Sequence, residues 1–175
     1  MPILNILKYP DPFLKTKAKP VSKIDADIKR LILDMAETMY FARGIGLAAT
    51  QVGVDKRVAV LDIPKGEDYK KGENLIVLIN TEITAYEWEI KYEEGCLSIP
   101  GFTADIKRFA NITVKGLNKD GNDVELKAEG LLAIALQHEI DHLDGILFID
   151  RLSKLKRDII KRKIKKAIES EKKML

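Results

Sequence analysis

Gln137-His138-Glu139-Ile140-Asp141-His142 is the stretch that decides how this chain folds, because it carries an H-E-x-x-H pattern inside a run of helical periodicity. Residues four positions apart on a helix lie on the same face, so the two imidazoles can bind one metal ion. Glu139 stands beside them and can act as the general base that takes a proton from an attacking water molecule. The chain has 2 histidines, and both occur here. The pattern predicts a metal-binding helix. The alternative is a helix whose two histidines are half-buried and bind no metal.

A third metal ligand is needed, since a catalytic metal site takes three protein ligands and leaves one position open. The acidic residues downstream of the helix do not stand at the spacing that zincins use, which leaves Cys96 on the upstream side. A lone cysteine is by default a small buried apolar residue, and beside a histidine it can also be a nucleophile. Neither role accounts for two histidines at ligand spacing. We therefore predict that Cys96, His138 and His142 hold one divalent metal ion.

A second unusual segment is Gly44-Ile45-Gly46-Leu47-Ala48-Ala49-Thr50-Gln51, which is rich in small residues. It is not a phosphate-binding loop, because no Gly-Lys-Ser/Thr sequence follows it. Small residues allow another backbone to approach closely, as at a binding site, or merely allow a helix end to pack. The residues by themselves leave both interpretations open.

The order of the predicted elements favours an α+β fold in a single domain over residues 1–175. Asp25 is the predicted N-cap of a first helix that ends at Gly44, and the metal-binding helix is predicted from Gly130 to about Leu143. Between them, short β-branched runs predict strands over residues 57–62, 74–80, 82–94, 111–117 and 122–126, with a hairpin turn at 118–121. Because strands and helices are segregated, we expect antiparallel sheets around a central metal-binding helix.

The composition excludes several classes of protein. A chain that is 46% hydrophobic and 33% charged has a globular core, and its apolar runs are far too short for a transmembrane helix. The first residues lack the basic start and the apolar run of a signal peptide. A chain with 1 cysteine forms no internal disulfide, which suggests a reducing compartment. We expect a cytoplasmic protein without a membrane partner.

The C-terminal segment is strongly basic. Residues 151–175 carry 11 Lys and Arg against 3 Asp and Glu, while the net charge of the whole chain is only +3. Apolar residues at helical spacing predict an amphipathic helix over residues 153–172. An excess of positive charge suggests an anionic partner, although a solvated helix that only packs against the domain is the simpler alternative.

Three segments taken together resemble the motifs of the peptide deformylase family: GIGLAATQ at 44–51, EGCLS at 94–98 and QHEIDHLDG at 137–145. The resemblance implies an enzyme that removes the N-formyl group from the formyl-methionine of nascent proteins and releases formate, most simply in the bacterial cytoplasm. It implies Fe²⁺ as the native metal, with Zn²⁺, Ni²⁺ or Co²⁺ in its place in a purified sample. It also implies that the basic C-terminal helix docks on the ribosome.

The resemblance assigns roles to individual residues by their position in the motifs. It implies the three metal ligands named above and makes Glu139 the acid/base for a water on the metal that attacks the formyl carbon. The Gln51 side-chain amide and the Leu97 backbone N–H would stabilise the oxyanion. Gly46 would bind the extended peptide through its backbone. The apolar pocket for the methionine side chain would be formed by Ile45, Leu97 and Ile134.

One position departs from the family pattern, and two other functions compete with it. Thr103 stands seven positions after Cys96, where several family members carry Arg, so the preference beyond methionine is open. A zincin-like metallopeptidase would use the same H-E-x-x-H helix, but the cysteine ligand and the glycine segment argue against it. An RNA-binding module with a structural metal would need four protein ligands, and only three are credible. Nothing in the sequence indicates a DNA partner.

Overall fold

An antiparallel sheet of five strands organises the computed structural model, which describes residues 2–174. The strands are β1 (Gly46–Ala48), β2 (Val58–Leu61), β3 (Ile76–Cys96), β4 (Ile99–Leu117) and β5 (Asp123–Glu129). They are hydrogen-bonded in chain order, and each pairs antiparallel with the next. The sheet and the helices around it confirm the predicted α+β class, with the strands joined in one continuous sheet.

Three α-helices accompany the sheet: α1 (Ala26–Phe41), α2 (Gly130–Leu143) and α3 (Lys154–Lys173). The side chain of Asp25 caps α1 as predicted, since it accepts a hydrogen bond from the Ile28 N–H at 3.0 Å. Helix α1 ends ahead of Gly44, because Arg43 adopts a left-handed conformation with φ 59° that closes the helix. The bounds of α2 agree with the prediction, and α3 begins directly after its N-cap residue, Ser153.

The long hairpin of β3 and β4 departs from the predicted strands. The segments 74–80 and 82–94 belong to one strand, β3, whose register shifts between Ile79 and Glu82. Strand β4 begins at Ile99, well ahead of the predicted start at residue 111. Pro100 and Gly101 weaken the local strand signal there. Pairing with β3 holds this part of the chain extended, and that pairing cannot be read from either strand alone.

Helix α2 packs on the sheet and is the most deeply buried of the helices, with residues 133–137 and 139–143 buried. Helix α1 joins a second apolar cluster with β1 and β2, and α3 contributes Ile160 and Ile164 to a third cluster that includes Ile106 and Phe148. Within residues 2–174, no helix has the length and apolarity needed to cross a membrane. Because α2 is so deeply buried, its polar side chains lie in the interior, where each needs a partner.

Candidate metal-dependent active site

The three predicted metal ligands converge on one point. His138 and His142 lie one turn apart on α2, and their Nε2 atoms are 3.1 Å apart. Cys96 is the last residue of β3, and its Sγ lies 3.2 Å from the Nε2 of His142. The three donor atoms all lie within 4.8 Å of one another. The end of a strand and the face of a helix thus form one potential metal site.

His138 is held in one tautomer by Glu94. The Nδ1 of His138 lies 2.9 Å from Glu94 Oε1 and donates to it, which leaves Nε2 facing the cluster. Burial alone would raise the pKa of Glu94, but hydrogen bonds from Arg108 and His138 lower this pKa below its ordinary value. Burial, followed by nearby positive charge, lowers the pKa of His142 well below its ordinary value. Its imidazole is therefore neutral, which is the form that binds a metal.

The donor set fits a single divalent ion. A thiolate and two imidazoles suit ions such as Zn²⁺ and Fe²⁺. Zinc–ligand distances place the donor atoms of one tetrahedral site roughly 3.3–3.6 Å apart. The separations of 3.1 and 3.2 Å in the structure are close to that range. Burial would lower the pKa of His138, but hydrogen bonds to Cys96 and Glu94 raise this pKa well above its ordinary value. A metal ion at the cluster would displace that proton.

Glu139 lies beside this cluster in a nearly dry environment. The residue is 4% exposed, and burial raises the pKa of its carboxyl to about 7. Its Oε2 has no hydrogen-bond partner among residues 2–174. The Gly46 backbone is so close that a Cβ atom on Gly46 would lie 2.7 Å from Oε1. A carboxyl that titrates near neutrality can accept a proton and return it at physiological pH.

A cleft of about 440 Å³ opens beside the cluster. Three segments bring the predicted site residues to its walls: Ile45, Gly46, Gln51, Cys96, Leu97, Ile134, His138 and Glu139. His142 is 1% exposed and lies behind them. Thr103, within the described part of the chain, is outside the cleft lining, and its Cγ2 is 3.4 Å from a Cβ atom built on Gly95. The structure thus groups every residue to which the sequence assigned a role.

The amide of Gln51 has a fixed orientation. Its Oε1 accepts a hydrogen bond from the Ala48 N–H at 3.0 Å. Its Nε2 donates to Ser98 Oγ at 3.2 Å and lies 3.7 Å from Cys96 Sγ. Leu97 occupies the turn between β3 and β4, directly after the cysteine. An N–H donor is therefore directed at the region next to the potential metal site.

A set of buried ion pairs behind the ligands was missed by sequence reasoning. Glu94 and Asp141 both accept hydrogen bonds from Arg108, and Asp141 also pairs with Arg151. Glu94 and Asp141 lie inside the motifs quoted above, so their position next to the metal ligands was a usable signal. Arg108 and Arg151 lie outside those motifs, and nothing in the local sequence distinguishes them from the other cations of the chain.

Comparison with known proteins decides the family. The family model described as polypeptide deformylase matches residues 3–158. The chain belongs to this family. This match confirms the family, and with it the enzyme class and the fold class, that the three motifs led us to expect. It also favours a deformylase over the zincin-like peptidase and the RNA-binding module.

Individual deformylases resemble the chain over nearly its full length. The peptide deformylase of Thermodesulfovibrio yellowstonii is 57% identical, over 94% of this chain and 98% of that protein. The crystal structure of a peptide deformylase from Legionella pneumophila has a TM-score of 0.87 and 46% identity, over 97% of this chain and 98% of that one. The Ehrlichia chaffeensis enzyme, solved in complex with actinonin, has a TM-score of 0.87 and 44% identity, over 95% of this chain and 98% of that one.

Proposed function

We propose that the chain is a peptide deformylase that removes the N-formyl group from the formyl-methionine of nascent proteins and releases formate. It acts as one catalytic domain over residues 1–175. The observation that carries the proposal is the convergence of Cys96, His138 and His142 beside the buried Glu139, at the wall of a cleft of about 440 Å³. Three ligands leave the open coordination position that a catalytic site requires.

Cys96, His138 and His142 would hold one divalent ion. When bound, such an ion supplies a Lewis acid that activates water and polarises the formyl carbonyl. We propose Fe²⁺ as the native metal, as the family resemblance implies, while Zn²⁺, Ni²⁺ and Co²⁺ suit the same donor set. Metal analysis of protein purified under anaerobic conditions tests this assignment, because Fe²⁺ is then protected from oxidation.

Glu139 moves the proton of the reaction. Its unpartnered Oε2 can accept a proton from the attacking water, and the same carboxyl can then return that proton to the departing amine. The pKa of about 7 suits both transfers, since neither the charged nor the neutral form is strongly favoured at neutral pH. Burial keeps other water away from the proton while it is in transit.

Gln51 and Leu97 stabilise the charge that develops on the formyl oxygen. The attacked carbon becomes tetrahedral, and its oxygen gains negative charge that fixed N–H donors can hold. The Gln51 Nε2 is oriented by the bond that its Oε1 accepts from Ala48, so little reorganisation is needed. The Leu97 N–H belongs to the turn next to Cys96 and is the second proposed donor.

The substrate peptide binds in an extended conformation along β1. This strand lies at the edge of the sheet, so one side of its backbone is open to pair with another strand. The Gly46 backbone would pair with the peptide, and the missing Cβ leaves room for the carboxyl of Glu139. Ile45, Leu97 and Ile134 line the cleft and would form the apolar pocket for the methionine side chain.

Anaerobic release of formate from formyl-Met-Ala-Ser tests the proposal. The Fe²⁺-loaded wild type should release formate, and Glu139→Gln should lower kcat roughly 10²–10⁴-fold with metal still bound, because the proton acceptor is lost. Glu93→Gln is the matched control, since Glu93 is an exposed carboxylate that also lines the cleft. A folded, metal-loaded wild type that releases no formate would overturn the deformylase assignment.

Helix α3 would dock the enzyme on ribosomal RNA in the cytoplasm of a bacterium, where nascent chains emerge. Its Ile160 and Ile164 face the core, while Leu155 is 69% exposed among many cations. Phosphate-rich RNA attracts such a surface, with a strong dependence on salt. The bacterial origin of relatives such as the 57% identical deformylase supports this setting.

Co-sedimentation with ribosomes at several salt concentrations tests the docking proposal. We expect the triple variant Arg162→Ala, Lys165→Ala, Lys166→Ala to bind more weakly and with a shallower salt dependence than the wild type. The control removes three exposed lysines from the strand hairpins, at Lys91, Lys107 and Lys119. Equal binding by both triple variants would contradict docking through α3.

A further inference from the structure

A chain of ion pairs leads from the protein surface to the metal ligand His138. Arg151 donates from Nε and Nη2 to the two carboxylate oxygens of Asp141, at 2.6 and 2.7 Å. Arg108 donates from Nη1 to the same carboxylate at 2.7 Å. It also donates to both oxygens of Glu94, at 2.5 and 2.9 Å. Glu94 in turn holds the Nδ1 of His138 at 2.9 Å.

Charge balance in this chain depends on Arg151. The side chains of Glu94, Arg108 and Asp141 are at most 9% exposed, and on their own they carry two negative charges against one positive charge. A buried charge without a partner is strongly unfavourable. Arg151, whose side chain is 42% exposed, supplies the second positive charge from the surface side. Without it, Asp141 and Glu94 would compete for one guanidinium.

We propose that Arg151 is a positioning residue for the metal centre. By neutralising Asp141 through two parallel hydrogen bonds, it lets Arg108 keep both of its bonds to Glu94. Glu94 then keeps the tautomer and ring orientation in which the Nε2 of His138 faces the ion. The inference rests on the proposed metal site and deepens it, since it names a residue outside the motifs that determines how firmly the ion is held.

A purely structural role for Arg151 is the alternative to a positioning role, and an experiment must distinguish the two. Arg151 ends the short 3-10 helix Phe148–Arg151, and α3 begins soon after it at Lys154. The pair with Asp141 could merely fasten this connection to α2. A fastening role lowers the stability of the protein with and without metal by the same amount, whereas a positioning role also weakens metal retention.

The rate at which a chelator removes Zn²⁺ from the loaded protein distinguishes the two roles. Loss of a group that bonds a ligand directly typically weakens metal binding about 10–100-fold, and Arg151 acts through two intermediate residues. We therefore expect Arg151→Gln to lose Zn²⁺ about three- to tenfold faster than the wild type. Arg151→Lys keeps the charge but cannot make the two parallel bonds. Its rate of Zn²⁺ loss should lie between those of the wild type and Arg151→Gln. Arg30→Gln, which breaks an arginine–carboxylate pair with Asp34 on α1, should keep the wild-type rate.

The increase in Tm on Zn²⁺ loading is the second readout, and it should be smaller in Arg151→Gln than in the wild type. Zn²⁺ loss at the wild-type rate, with equal drops in Tm for the zinc-free and zinc-bound forms, would overturn the inference. If Arg151→Gln does not fold, the same two measurements on Arg151→Lys test the inference. A wild type that retains no Zn²⁺ at all overturns the proposed function as well, and this is seen before any variant is compared.

Discussion

At the scale of single residues, the site depends on one close approach between backbone and side chain. Glu139 must lie near the proposed metal ligands, and the Gly46 backbone must lie near Glu139 if both are to contact one substrate. A Cβ atom built on Gly46 would lie 2.7 Å from Oε1, so any side chain at this position would displace the Glu139 carboxyl. The glycine segment, whose purpose the residues alone left open, therefore contributes to the site.

Gly46→Ala should impair catalysis far more than stability. The added methyl group must displace the carboxyl of Glu139, which is the far end of a flexible side chain, so the fold can adapt at modest cost. We expect kcat for formate release to fall at least about tenfold, because the proton acceptor is moved. Metal content and Tm, measured on the same samples, should remain close to wild type. A variant with the wild-type kcat would show that this contact does not position Glu139.

Arg43→Gly should stabilise the protein. Arg43 follows α1 with φ 59°, a conformation that costs a residue with a side chain roughly 1–2 kcal/mol and costs glycine little. After allowance for the greater freedom of glycine in the unfolded chain, we expect the free energy of unfolding in urea to rise by about 0.5–1 kcal/mol. A decrease would mean that the Arg43 side chain makes a stabilising contact that outweighs the backbone strain.

At the scale of elements, α2 carries most of the site and is bounded by two glycines in the left-handed region. Gly130 begins the helix with φ 62°, and Gly145 follows its end with φ 75°. The two ends differ in their surroundings. A Cβ atom on Gly130 would meet no atom within 4 Å, whereas one on Gly145 would lie 2.3 Å from the Lys15 carbonyl oxygen.

This difference makes the two glycines a matched pair for mutation. Gly130→Ala should lower the free energy of unfolding by about 1 kcal/mol, through backbone strain alone. Gly145→Ala adds a clash with the Lys15 backbone, so we expect a loss larger by at least about 2 kcal/mol. Urea denaturation of both variants measures the difference. Equal losses would mean that the N-terminal arm moves away from α2 without cost.

At the scale of the whole molecule, the ion pairs around Arg108 join both strands of the long hairpin to α2. Glu94 comes from β3, Arg108 from β4 and Asp141 from α2. Such a buried network is strongly destabilised when one partner is removed, because a charge is left unpaired. The network therefore ties the stability of the fold to the protonation of the Glu94 carboxylate.

Stability should fall in acid because of Glu94. Its folded pKa is lowered below the ordinary value of 4.5, so its contribution is fully present above that pH and is lost as the pH falls through the folded pKa. At pH 7, Glu94→Gln should lower the free energy of unfolding by about 3–5 kcal/mol. The deficit relative to the wild type should shrink as the pH drops below 4.5.

Glu93→Gln is the control for this pH dependence, since the neighbouring Glu93 is exposed. Its free energy of unfolding should follow the wild type between pH 7 and the acid range. A Glu94→Gln deficit that stays constant over the whole range would show that Glu94 stabilises the fold by hydrogen bonding alone, without a contribution from its charge.

Local sequence patterns were enough to predict α2 and the three side chains that meet at the potential metal site. The H-E-x-x-H spacing and the apolar stripe are local properties, because a helix repeats every few residues and places His138 and His142 on one face. The bounds of α2 and the cap of α1 at Asp25 were predictable for the same reason. The three motifs together added the family, and with it the residues expected around the cleft.

The extent of the long β3–β4 hairpin and the ion pairs next to the potential metal site became visible in the three-dimensional structure alone. Strand pairing over residues 89–109 depends on which partner lies alongside, so weak strand formers such as Gly101 are held extended by β3. Arg108 and Arg151 meet Asp141 across 33 and 10 positions, and no local pattern predicts such contacts. The physical reason is that a buried charge selects its partner in space, after register and packing have brought the elements together.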